Sequence, residues 1–203
     1  MDLSAEDRER ISAAIHAAEA ATSGEIVCVL ARSSVNTTAL PIFVAALASL
    51  ALPWLLVAFT ALTVQQILGL QVVLFLGLAA LLCLPALRVA LLPRATRRAV
   101  AHRVAMEQFV LRGIGRKRDR TGVLIFVSLA ERYARIIADE GIAAHVPQLE
   151  WQGAVDALIE HMRGGHIADG FVEAIDRCGH VLAAHFPRTD ALRDELPDRI
   201  YLL

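Results

Sequence analysis

The chain has 203 residues, 56% of them hydrophobic, a formal net charge of −1 at pH 7 and a mean hydropathy of +0.53. A near-neutral balance gives no electrostatic ground for binding nucleic acid or another acidic polymer, and no such partner is expected. The apolar excess is concentrated: no Asp, Glu, Lys or Arg lies between Arg32 and Arg88, so the flanks read as water-soluble and the middle as lipid-solvated.

In chain order, Leu3 to Ala21 predicts an amphipathic helix with an Ile11, Ala14, Ile15, Ala18 stripe, capped by Ser4 with Asp7 in a capping-box arrangement. The opening MDLSAEDRER is acidic and polar, which gives no reason to expect a signal peptide. Glu25 to Ala31 predicts a strand whose apolar residues fall on both faces, as in a central strand covered on both sides. Two apolar runs follow, Ala39 to Val64 and Ile67 to Leu92, each long enough to cross a bilayer, with Gln65 and Gln66 as a polar turn between them. Pro53 is expected to kink the first run. Arg88, Arg94, Arg97, Arg98 and Arg103 cluster around the exit, while the turn carries no basic residue, so both termini are expected on the cytoplasmic side.

Beyond the apolar runs, Arg97 to Gly113 predicts a helix, and Val123 to Ser128 and Tyr133 to Ala138 predict an antiparallel hairpin. Trp151 to Met162 and Phe171 to Phe186 carry helical stripes ended by Gly164-Gly165 and Pro187. The tail from Arg188 to Leu203 is polar with an apolar end. Cys28, Cys83 and Cys178 have no metal-ligand spacing and read as small buried hydrophobes in a reducing compartment. Lys117 is the one lysine beside abundant arginine, a bias associated with GC-rich bacterial genomes.

Several segments together resemble the TPM domain family. They are Ser23-Gly-Glu-Ile-Val-Cys-Val-Leu30, Gly113-Ile-Gly115 followed by Arg120-Thr-Gly-Val-Leu-Ile-Phe-Val-Ser128, Arg135-Ile-Ile-Ala-Asp-Glu-Gly-Ile142, the stretch from Gly164 to Phe171, and His185-Phe-Pro187. The resemblance implies an α/β, three-layer TPM-like domain with a short mixed sheet, here interrupted by a two-helix transmembrane hairpin. It divides the chain into residues 1–38 (first helix and strand of the TPM-like domain), 39–92 (hairpin), 93–187 (remainder of the domain) and 188–203 (tail). Phosphatase activity and divalent-cation binding are attributed to some members of that family. The sequence departs from the family where Thr121 precedes the glycine of the strand motif, a position often Asn or Asp; Asp119 lies two residues earlier.

Asp139-Glu140-Gly141 sets two carboxylates at a strand end before a turn, and Asp119 and Glu131 lie near the hairpin ends. Hard cations need several converging oxygens, so these four residues are the candidate ligands for Ca²⁺ or Mg²⁺. The competing reading is that they are solvated turn carboxylates paired with Arg132 or Arg135. His161 and His166 with Asp169 are a weaker set, because a spacing of five and the glycine pair between the histidines take them off one helix face. His102, His145, His180 and His185 are expected on surfaces or helix faces. Gly113 to Arg118 offers glycines and a basic run for a phosphate but lacks the Gly-Lys-Ser/Thr of a P-loop, and reads better as a solvated basic loop near anionic headgroups. No catalytic residue is identified. The expected role is a scaffold or interaction module at the cytoplasmic face of a bacterial inner membrane, with the bilayer and another membrane protein as partners. The alternative is a divalent-cation-dependent phosphatase.

Overall fold

The computed structural model describes residues 3–34, 39–84, 92–116, 120–188 and 197–203. The chain forms two compact units, one of residues 1–34 and 101–203, the other of residues 35–100.

The first unit opens with helix α1 (Ala5–Glu19). Ser4 and Asp7 form the predicted capping box: the Ser4 hydroxyl accepts from the Asp7 amide at 3.0 Å and the Asp7 carboxylate accepts from the Ser4 amide at 3.2 Å. Strand β1 (Glu25–Ala31) follows. Strands β2 (Gly122–Ser128) and β3 (Tyr133–Ala138) form the antiparallel hairpin that the apolar pattern predicts. The sheet is mixed and four-stranded, in the order β3-β2-β1-β4; β1 pairs in parallel with β2, Glu25 opposite Gly122 through Ala31 opposite Ser128.

The fourth strand, β4 (Ile200–Leu202), lies in the segment the sequence reading leaves as a tail, and pairs in parallel with β1. Its three residues are too few to show a period of two. It becomes a strand because β1, apolar on both faces, would otherwise expose unpaired amides and carbonyls along one edge.

Both faces of the sheet are covered. On one, Ile26, Cys28, Leu30, Val123, Ile125 and Val127 pack beneath α1, α6 (Gln152–Arg163) and α7 (Ile167–His185). On the other, Val27, Val29, Leu124 and Phe126 meet Ala105 and Phe109 of α4 (Arg94–Leu111) and Ile114. The period-two alternation of a strand thus sends successive residues of β1 and β2 into different cores, which is why both strands are apolar throughout. After β3 come a short helix, α5 (Glu140–Ala143), and a 3₁₀ turn (Gln148–Trp151), where the sequence predicts only a loop. They are four residues each, shorter than a periodic signal needs, and they bury Ile142 and Trp151.

Two glycines are required by geometry. Gly113 ends α4 at a φ of 72°, in the left-handed region. A Cβ on Gly122 would lie 2.3 Å from Ile114 Cγ2 and 3.2 Å from the Ile114 carbonyl oxygen, so the first position of β2 has no room for a side chain.

The second unit contains α2 (Ala39–Phe59) and α3 (Val64–Leu82), which pack on one another. Their connection is Thr60 to Thr63, three to five residues earlier than the predicted Gln65-Gln66 turn. Thr63 caps α3, its backbone amide donating to the Gln66 side-chain oxygen at 3.0 Å, and this draws both glutamines into the first helical turn. Pro53 lies inside α2. The predicted end of the second apolar run, residues 85–91, lies outside the described residues. Both helices are long and apolar enough to cross a membrane, and within those stretches only 11% of α2 and 6% of α3 is buried.

Candidate functional site

The antiparallel register of β2 and β3 decides how the candidate carboxylates are distributed. Asp139 directly follows β3, at the end of the hairpin where its amide donates to the Gly122 carbonyl at 2.9 Å. Glu131 lies in the turn at the other end, after Ser128. The length of β2 separates them, on the order of 20 Å at about 3.4 Å per residue. One ion cannot be shared by Glu131 and the Asp139-Glu140 pair, so the set of four divides. Asp119 lies outside the described residues.

Asp139 caps α5, its Oδ1 accepting from the Glu140 amide at 2.8 Å. Its Oδ2 is buried and has no hydrogen-bond partner among the described residues, which singles it out, because buried carboxylate oxygens are normally satisfied. Glu140 is well exposed and paired with Arg120, a residue at a φ of 49°.

Glu131 is buried in a polar network. It accepts from the Ser33 hydroxyl at 2.9 Å, the Ser34 amide at 3.0 Å and the Ser128 hydroxyl, and the Ser34 and Ser128 hydroxyls lie 2.8 Å apart. This carboxylate ties the end of β1 to the turn after β2. It is buried rather than a solvated turn charge.

The histidines are held by local contacts. His161 Nε2 is 2.7 Å from Glu173, and Asp169 is 2.7 Å from Arg10. The bond to Arg10 holds the Asp169 carboxyl below the usual carboxylate range, and His161 and Arg177 do the same for Glu173. His145 lies at the Gly141 carbonyl and edge-on to Phe186, His180 beside Asp176, His185 beside Glu150 and His102 near the Tyr133 hydroxyl. Among the described residues, no three His, Cys, Asp or Glu side chains converge as a metal site. Burial pushes the Cys28 and Cys178 thiols up, so neither is poised as a thiolate nucleophile.

The sequence reading misses one pair of carboxyl groups. Glu19, the last residue of α1, is pushed up to about 9, chiefly by burial and further by Asp198 and Glu25, against the hydrogen bond from the Ile26 amide at 2.6 Å. Asp198, just before β4, holds His16 at 3.0 Å, while its backbone carbonyl accepts from the Ser12 hydroxyl. No other described residue donates to the buried Asp198 Oδ1, and a protonated Glu19 supplies a donor there. The signal was the spacing of Glu19 from Ile11 and Ile15, which puts it on the buried side of α1.

With this geometry in view, the comparisons with known proteins agree with the motifs. Residues 85–181 match the family model of the TPM domain. The NMR structure of BA42 protein from the psychrophilic bacterium Bizionia argentinensis is similar at a TM-score of 0.63 and 22% identity, covering 100% of this chain and 96% of that one. At that identity the likeness is one of fold. No curated protein matches the chain.

Proposed function

We propose that the chain is a membrane-anchored TPM protein whose α2–α3 pair spans the bilayer as a hairpin. Its TPM domain would act at the cytoplasmic face of a bacterial inner membrane as a scaffold or interaction module for another membrane protein. One observation carries the reading: α2 and α3 leave large apolar side chains uncovered along their length, among them Phe43, Trp54, Phe59, Val73 and Leu76. The core helix of a soluble protein buries most of its apolar residues; in these helices about a tenth of the residues or fewer are buried. At 1.5 Å per residue they measure roughly 30 Å, the thickness of a bilayer's hydrocarbon core. The test is membrane fractionation. The protein should stay with carbonate-washed membranes and leave only with detergent; recovery in the soluble fraction overturns the reading. Reporter fusions at each terminus test orientation, and activity of a periplasm-dependent phosphatase reporter at either end would refute two cytoplasmic termini.

A second reading rests on the buried, unpartnered Asp139 Oδ2. A Ca²⁺ or Mg²⁺ ion held there, with Glu140 rotated from Arg120 and Asp119 completing the set, would give the turn after β3 the cation that a phosphatase of this class uses. Titrating the melting temperature with either ion at constant ionic strength tests it. Asp139→Asn should abolish a shift seen in the parent, and no shift in the parent at millimolar ion refutes the site.

A further inference from the structure

We infer that Tyr201, Arg112 and Arg199 form a binding site for a phosphate-class anion on the β4 edge of the sheet. The side chain of Tyr201 packs against the core beneath α4, and Arg112 follows that helix directly. The Arg112 guanidinium carbon lies 3.7 Å from the Tyr201 ring centroid and the Arg199 carbon 4.9 Å from the same centroid. One ring therefore holds two cations, which stand within about 9 Å of each other whichever faces they occupy, and repel.

The charges around them leave that repulsion uncompensated. Among the described residues neither guanidinium meets a carboxylate, and the hydrogen bond Arg112 makes runs from Nε to the Gln108 side-chain oxygen at 3.2 Å. Asp198, the sequence neighbour of Arg199, is engaged by His16 and Glu19. The Tyr201 hydroxyl makes no hydrogen bond among the described residues. Each guanidinium carries more N–H donors than these contacts use, so two planar forks and a phenol O–H are available around one ring. That is a donor set for a tetrahedral oxyanion, which can take a bidentate bond from each fork and offset both charges. Two sources share this chemistry: a phosphate or phosphomonoester in solution, and the phosphodiester of a lipid headgroup.

The probe is inorganic phosphate, titrated calorimetrically into the full chain in uncharged maltoside micelles against a chloride control of equal ionic strength. Phosphate should bind, and Arg199→Gln and Arg112→Gln should each weaken it about tenfold or more, the loss of one charge-assisted contact. Arg199→Lys should recover part of the loss, and Arg199 is exposed, so its variants leave the core intact. Repeating the titration in nanodiscs separates the sources. Since every phospholipid carries the phosphodiester, binding seen in the uncharged micelles and lost in phosphatidylcholine nanodiscs identifies a headgroup as the occupant, whereas equal binding in both identifies the soluble anion. No phosphate binding by the parent at about 10 mM, or equal binding by the Arg112→Gln, Arg199→Gln double variant, overturns the site.

Discussion

Replacing Glu19 with Gln should stabilise the protein at neutral and alkaline pH and leave it unchanged in mild acid. Glu19 is raised from 4.5 to about 9 in the folded chain. A carboxyl group whose folded value lies above its unfolded value favours folding fully only below the unfolded one. That contribution is lost as pH rises from about 4.5 to about 9, because the folded protein must keep a proton that the unfolded chain has released. At pH 7 the gap of about 2.5 units from the unfolded value corresponds to about 3 kcal/mol. Relaxation around the charge lowers this, so that figure is a ceiling. Gln keeps an oxygen for the Ile26 amide and offers N–H groups to Asp198, and it does not titrate. With a shift of about 2–4 °C per kcal/mol for a chain of this size, the variant should melt up to roughly 6–12 °C above the parent at pH 7. The fluorescence of Trp151, buried in the first unit, reports the transition in detergent. The difference between the two proteins should vanish near pH 4.5 and widen toward pH 9. A difference that is constant across that range refutes the argument, since only a shifted titration makes it depend on pH.

Gly122→Ala should destabilise the first unit by about 1–3 kcal/mol, since its Cβ meets the Ile114 carbonyl as well as a side chain; the melting temperature measures it. Glu131→Ala should lower the same transition by about 1–3 kcal/mol, because it strips acceptors from the Ser33 and Ser128 hydroxyls and the Ser34 amide. Leu50→Arg, exposed and next to the midpoint of α2, should cost roughly 3 kcal/mol of membrane insertion; an apparent insertion free energy equal to the parent's would refute the span.

Much of the architecture is legible because it is written in local periodicity and composition. The Ser4–Asp7 box, the all-apolar β1 and β2, the β2–β3 hairpin and the two stripes after Trp151 each follow from residues within one element. The charge-free stretch between Arg32 and Arg88 likewise dictates two long apolar helices. What the sequence could not determine depends on contacts between distant segments. The Ile200–Leu202 strand exists because β1 has an open edge, a fact located 172 residues upstream. The candidate carboxylates look like neighbours along the chain, yet the hairpin register sends Glu131 into a network with Ser33 and Ser34 and leaves Asp139 at the opposite end. Glu19 and Asp198 become one unit only when the last strand docks beside α1, and Arg112 and Arg199 meet only across the ring of Tyr201. Hydrogen bonding and charge act over a few ångströms of space, and it is the tertiary fold that sets which residues fall within that reach.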